Sequence, residues 1–124
     1  MEQYLYLSAL LLASIAIAHS YLGERYILIR LFKRDDLPKL FGSCDFTRFT
    51  LRFAWHLTSI AWLGFGAILV TLANPDTELS TVGTIVGLTF LVHFLVAIVG
   101  SKGRHLSWLI FLIVGILSIY ATNT

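Results

Sequence analysis

Four histidines, His19, His56, His93 and His105, are the residues of this sequence best suited to chemistry near neutral pH. A neutral imidazole ligates iron, copper or zinc, and the same ring takes up and releases protons in the physiological range. Each has polar or small company at helical spacing. Arg52, His56 and Ser59 follow a four-then-three spacing that puts them on one helix face. Ser8, Leu12, Ile15 and His19 fall on a second face, with Ser20 beside it. Thr89, His93 and Gly100 fall on a third, and His105 pairs with Trp108.

If the four rings meet, two kinds of site follow. A b-type haem needs axial imidazoles from two helices, as bundle interiors provide. His19 and His56 are the pair for it, with Arg25, Arg48, Arg52 and Arg104 as cations for the propionates. Without haem, His19, His56, His93, His105 and Glu24 form the donor set for a transition metal, iron, copper or zinc. Ser20, Ser59 or Thr89 would then orient the ligating rings. Such a site suggests a redox-related or cofactor-handling protein. Two other readings compete. One is an oligomeric small transporter or proton relay, although no acidic or lysine side chain lies in the middle of an apolar run. The other is an accessory, lipid-packing protein whose histidines only bond neighbouring helices. No Ser-His-Asp arrangement, phosphate loop or paired-carboxylate site marks an enzyme, so no catalytic residue is assigned. Cys44, between Ser43 and Asp45, has no base beside it and reads as a spectator thiol.

The elements that must position these residues are apolar runs. Of 124 residues, 57% are hydrophobic and 13% charged, where a soluble domain is roughly half apolar and a quarter charged. A water-soluble chain this short buries too small a share of its surface to hide so much. The runs Tyr4–Leu22, Phe53–Ala73, Leu79–Val99 and His105–Thr122 each approach the ~20 residues that cross about 30 Å of hydrocarbon. Only helices satisfy the backbone there. The expectation is one all-α domain, an integral membrane antiparallel four-helix bundle. Ala16-Ile17-Ala18 imitates a signal-peptidase site, but Glu2 and the lack of Lys or Arg before the run favour a retained helix.

The charges orient the spans. All 9 lysines and arginines lie in two segments. Seven, from Arg25 to Arg52, lie between the first and second runs; Lys102 and Arg104 lie between the third and fourth. Glu2, Asp76 and Glu78 lie at the other end. The positive-inside rule makes the basic connections cytoplasmic, places both termini on the non-cytoplasmic side and suits a bacterial inner membrane. His19 and His56 then lie about 5 Å below one hydrocarbon edge, His93 about 10 Å and His105 at the edge, from ~1.5 Å rise per residue. The expectation is a histidine-lined pocket in the cytoplasmic leaflet.

The links around Asn74-Pro75 and Gly100–Arg104 are tight, so their flanking helices are neighbours. In the basic segment 23–52, Ile27, Leu28, Leu31 and Phe32 alternate with Arg25, Arg30, Lys33 and Arg34. That pattern either lies on the membrane surface or continues the first helix. Leu37-Pro38 suggests a new helical turn, and Asp45 an N-cap for the second span. Anionic headgroups are the natural partners of this segment. A homo-oligomer or larger membrane complex is a further expected partner, and nucleic acid is not. Gly64, Gly66, Gly83, Gly87 and Gly115 let helices approach closely.

The stretches HSYLGERYIL (His19–Leu28) and LRFAWHLTSIAWLG (Leu51–Gly64) resemble those of a family of small uncharacterised bacterial inner-membrane proteins with four predicted spans. The resemblance covers most of the chain and implies the four-span fold. No activity attaches to it.

Overall fold

The computed structural model describes residues 1–124 and is all-helical, without strands. Helix α1 (Glu2–Leu22) continues through a π-helical turn (Gly23–Leu28) into the short α2 (Ile29–Leu31), making one rod from Glu2 to Leu31. The amphipathic basic stretch is thus an extension of the first helix. Helices α3 (Asp45–Leu72), α4 (Leu79–Gly100) and α5 (Ser107–Asn123) complete the fold.

Local chemistry explains where the helices stop. Beyond α3, Pro75 cannot continue a helix, and the Asn74 side chain accepts the Asp76 N–H at 3.1 Å. Beyond α4, Gly103 adopts φ +74° and donates its N–H to the Ile98 carbonyl at 2.8 Å. A left-handed glycine of this kind satisfies carbonyls that a helix end leaves free. Between α2 and α3, Leu40 and Ser43 exchange backbone hydrogen bonds of 3.0 and 3.3 Å around Phe41 and Gly42, both at positive φ. Pro38 therefore starts no helical turn, and its carbonyl instead accepts the Thr47 hydroxyl at 2.8 Å. Asp45 is the first residue of α3 rather than its cap; its own N–H is satisfied by the Ser43 hydroxyl at 3.3 Å. The fourth helix begins at Ser107, leaving His105 outside it. In the loop between α2 and α3 the Arg34 guanidinium donates to Asp36 at 2.8 Å and holds that carboxyl below the ordinary carboxylate range. The pair accordingly persists on acidification until pH falls through that lowered value.

Packing follows chain order. α1 lies on α3, α3 on α4 and α4 on α5, and no other pair of these long helices packs together. The four-helix arrangement expected from the sequence is present, opened into a row. Three seams result, and glycines close them. A Cβ on Gly87 would overlap Ile119 and crowd the Gly115 carbonyl; one on Gly83 would overlap Thr122. Gly87→Leu is therefore expected to force α4 and α5 apart at a cost of about 1–3 kcal/mol. The readout is a lower unfolding midpoint in detergent, partly restored by adding Ile119→Ala. An unchanged midpoint would show that the seam is not close-packed.

Only 15 of the 124 residues are buried. Leu10, Phe65 and Ile110 each stand more than half exposed on outer faces. Apolar surface this extensive suits lipid as the solvent rather than water. Glu2–Leu31, Asp45–Leu72 and Leu79–Gly100 are long and apolar enough to cross a membrane, while Ser107–Asn123 is shorter.

Candidate functional site

The seam between α1 and α3 holds the most connected polar group in the molecule. α1 and its π-helical extension present His19, Ser20 and Glu24; α3 presents Arg52, His56 and Ser59. These lie in the two stretches HSYLGERYIL and LRFAWHLTSIAWLG, now face to face. Glu24 is in the π-helical turn, whose extra residue per turn changes the azimuth of every residue after it. Turns of that kind are uncommon and recur at functional sites. Gly23 permits the approach: a Cβ there would overlap the Trp55 indole, which packs against the α1 backbone and donates from Nε1 to the His19 carbonyl at 3.0 Å.

One hydrogen-bonded chain runs through these side chains. Arg52 grips both Glu24 carboxylate oxygens, from Nη2 at 2.9 Å and from Nε at 3.2 Å. Glu24 Oε2 lies 3.2 Å from His56 Nε2. His56 Nδ1 lies 2.9 Å from the Ser20 hydroxyl, which donates to Ser59 at 2.7 Å. Ser59 lies 3.0 Å from His19 Nδ1. The hydrogens can be assigned by elimination. Ser20 spends its proton on Ser59, so it must accept from His56 Nδ1–H. Ser59 accepts from Ser20, and the only other partner for its own proton is His19 Nδ1, so it donates there and the His19 proton is on Nε2. All three links point from His56 toward His19. A further proton is shared between His56 Nε2 and Glu24.

The far end of the chain is built for charge. The His19 ring stacks on Trp55, with centroids 4.6 Å apart and planes within 5°, and meets the Trp62 edge at 4.9 Å. Indole faces stabilise a cation by about 0.5–2 kcal/mol, more where water is excluded. At the near end, Glu24 and Arg52 are part-exposed, with side-chain exposures of 31% and 46%. The chain thus links a wetted ion pair to an imidazole in an aromatic setting.

The other expected site residues lie elsewhere, and the shared pocket of four imidazoles is a correction. His93 is 7% exposed in the α4–α5 region, with Nδ1 2.7 Å from its own helix's Thr89 carbonyl and its ring 5.4 Å from both Phe90 and Phe111. His105 uses Nδ1 to accept the Ser107 N–H at 3.3 Å, beside Phe53 and Phe46. Position along a helix does not fix the seam on which a ring falls. The arginines also diverge. Arg25 donates to the Tyr21 hydroxyl at 3.0 Å; Arg48 lies 3.7 Å from Asp45; Arg104 stands beside Phe41 in the loop region; only Arg52 joins the network. No three His, Cys, Asp or Glu side chains converge so as to hold a metal ion. His56 has both ring nitrogens engaged and His19 has Nδ1 engaged, which leaves His19 Nε2 as the one ring nitrogen of the pair without a hydrogen-bond partner.

Comparison with known protein families, curated proteins and solved structures finds no match to this chain.

Proposed function

We propose that the chain spans a bilayer with four helices, basic connections on the cytoplasmic side and both ends opposite, and that it works there as a proton relay. The observation that carries the reading is the unbroken Glu24–His56–Ser20–Ser59–His19 hydrogen-bonded chain. The proton shared by Glu24 and His56 enters the line as His56 Nδ1–H passes to Ser20. Ser20 passes its own proton to Ser59, and Ser59 passes one to His19 Nδ1. His19 becomes an imidazolium against Trp55, His56 keeps its proton on Nε2, and each hydroxyl is left pointing back; release of a proton from His19 Nε2, rotation of both hydroxyls and a flip of both imidazole rings reset the line. Arg52 keeps Glu24 oriented at the aqueous edge. Beyond His19, α1 and α3 meet through Ala16, Ala9, Leu12 and Gly66, which carry no protons. The relay therefore delivers protons to His19, about 5 Å below the hydrocarbon edge, as part of an oligomer or larger membrane complex.

The test is tryptophan emission of the protein in lipid nanodiscs as pH is lowered. An imidazolium stacked on indole quenches it, so a titrating component is expected in the wild type, absent in His19→Phe and displaced in Glu24→Gln. An identical titration in His19→Phe would refute the relay. A Soret band in the purified protein, lost in His19→Ala or His56→Ala, would favour a haem site instead.

A further inference from the structure

Two apolar grooves flank α3 at its basic end. The first, about 580 Å³, lies along the α1–α3 seam and runs from Arg25 and Ile29 to Ala16 and Leu63. From Arg25 to Ala16 is nine residues, roughly 13 Å of helix at ~1.5 Å per residue. The second, about 420 Å³, lies along the α3–α4 seam between Phe49 and Gly100 at one end and Leu95 at the other. His56 lines both. This one residue of α3 is common to the two grooves, so they adjoin at its position on the helix.

The charges at the junction have a definite sign. Arg25 lines the first groove and Arg52 the second. The Lys102 ammonium lies 4.9 Å over the Phe49 ring, at the rim of the second. Against these three cations stands one carboxylate, Glu24, already held by Arg52 and His56. Arginine keeps spare N–H donors after one bidentate pair, and a phosphate is what that fork geometry recognises.

We propose that the two grooves hold one anionic diacyl phospholipid astride α3, its phosphate at the Arg25–Arg52 junction and one acyl chain in each groove. Two adjoining apolar channels with a cationic meeting point match two chains joined at one anionic head; a single-chain amphiphile would leave one groove empty. The inference rests on the bilayer-spanning reading but not on the proton relay.

Native mass spectrometry of the protein released from nanodiscs of mixed phosphatidylglycerol and phosphatidylcholine tests it. The wild type is expected to retain one phosphatidylglycerol with at least ~tenfold preference, a difference of about 1.4 kcal/mol. Leu95→Trp and Ile60→Trp, which fill one groove each, should both lower retention by about the same factor, and lysophosphatidylglycerol should be held more weakly. Arg25→Gln should bring the two diacyl lipids to parity. Equal retention of phosphatidylcholine by the wild type, or of the single-chain lipid, or indifference to both tryptophan variants at unchanged helix content, would overturn the proposal. A wild type that does not enter nanodiscs would overturn it together with the membrane reading. The relay is read separately, through the emission titration, and its failure leaves these lipid results standing.

Discussion

Gly23→Leu is expected to separate α1 from α3. The position has no room for a side chain, because the Trp55 indole occupies the place of the missing Cβ and donates to the His19 carbonyl. Overpacking of this kind costs about 1–3 kcal/mol where neighbours can shift. Here the neighbour is a large ring already held by the stacked His19, so the upper end of that range applies. The unfolding midpoint in detergent should fall, and Trp55 emission should move as the indole leaves the seam. Adding Trp55→Ala opens the space the leucine needs, so the double variant should be more stable than the sum of the two single losses predicts. Strict additivity would mean that Gly23 and Trp55 do not meet, since contacting residues couple and distant ones do not.

That seam also shows how much was legible in the sequence. The spacing of Arg52, His56 and Ser59 placed three polar groups on one face of α3, and all three join the network. Ser20 and Ser59 stood out as partners for imidazoles, and they take that role. Depth along a helix follows from residue count, so the common level of His19 and His56 could be read. Azimuth across helices does not follow from it. Two rings at one depth reach each other only if their helices are neighbours and turned correctly, and loop lengths fix only the first condition. His93 sits on a neighbour of α3 but its ring turns toward Phe90 and Phe111, and His105 lies against Phe46 and Phe53, so neither reaches the other pair. The π-helical turn at Gly23–Leu28 had no sequence signal except a glycine beside an acidic residue, yet it sets where Glu24 points. Trp55 read as an interfacial belt residue because one tryptophan near a boundary usually is one. Its stacking on His19 depends on a partner 36 residues away in sequence, which no local pattern encodes.

The second large effect is expected at Ser59, where two links of the relay meet. Ser59→Ala removes the acceptor for Ser20 and the donor to His19 in one step. Ser59 is only 5% exposed, so water has little access to bridge the gap. Leaving its partners unsatisfied costs about 1–3 kcal/mol, which the rest of the α1–α3 seam can absorb. The consequence for proton movement is larger. A positioned group contributes about 10²–10⁴-fold to a proton transfer, and here no second path leads from His56 to His19. After a pH jump, the tryptophan signal that reports protonation of His19 should therefore appear at least ~100-fold more slowly in Ser59→Ala. Ser59→Thr keeps the hydroxyl and should restore the rate. This pair separates relay from packing. The threonine adds a methyl group to a tight seam and the alanine removes an atom, so a purely structural role would disturb the threonine variant at least as much. Slow protonation in alanine with recovery in threonine follows only if the hydroxyl carries the proton. Equal rates in all three proteins would mean that His19 exchanges protons by another route, and the chain from Glu24 would then be a static brace between two helices.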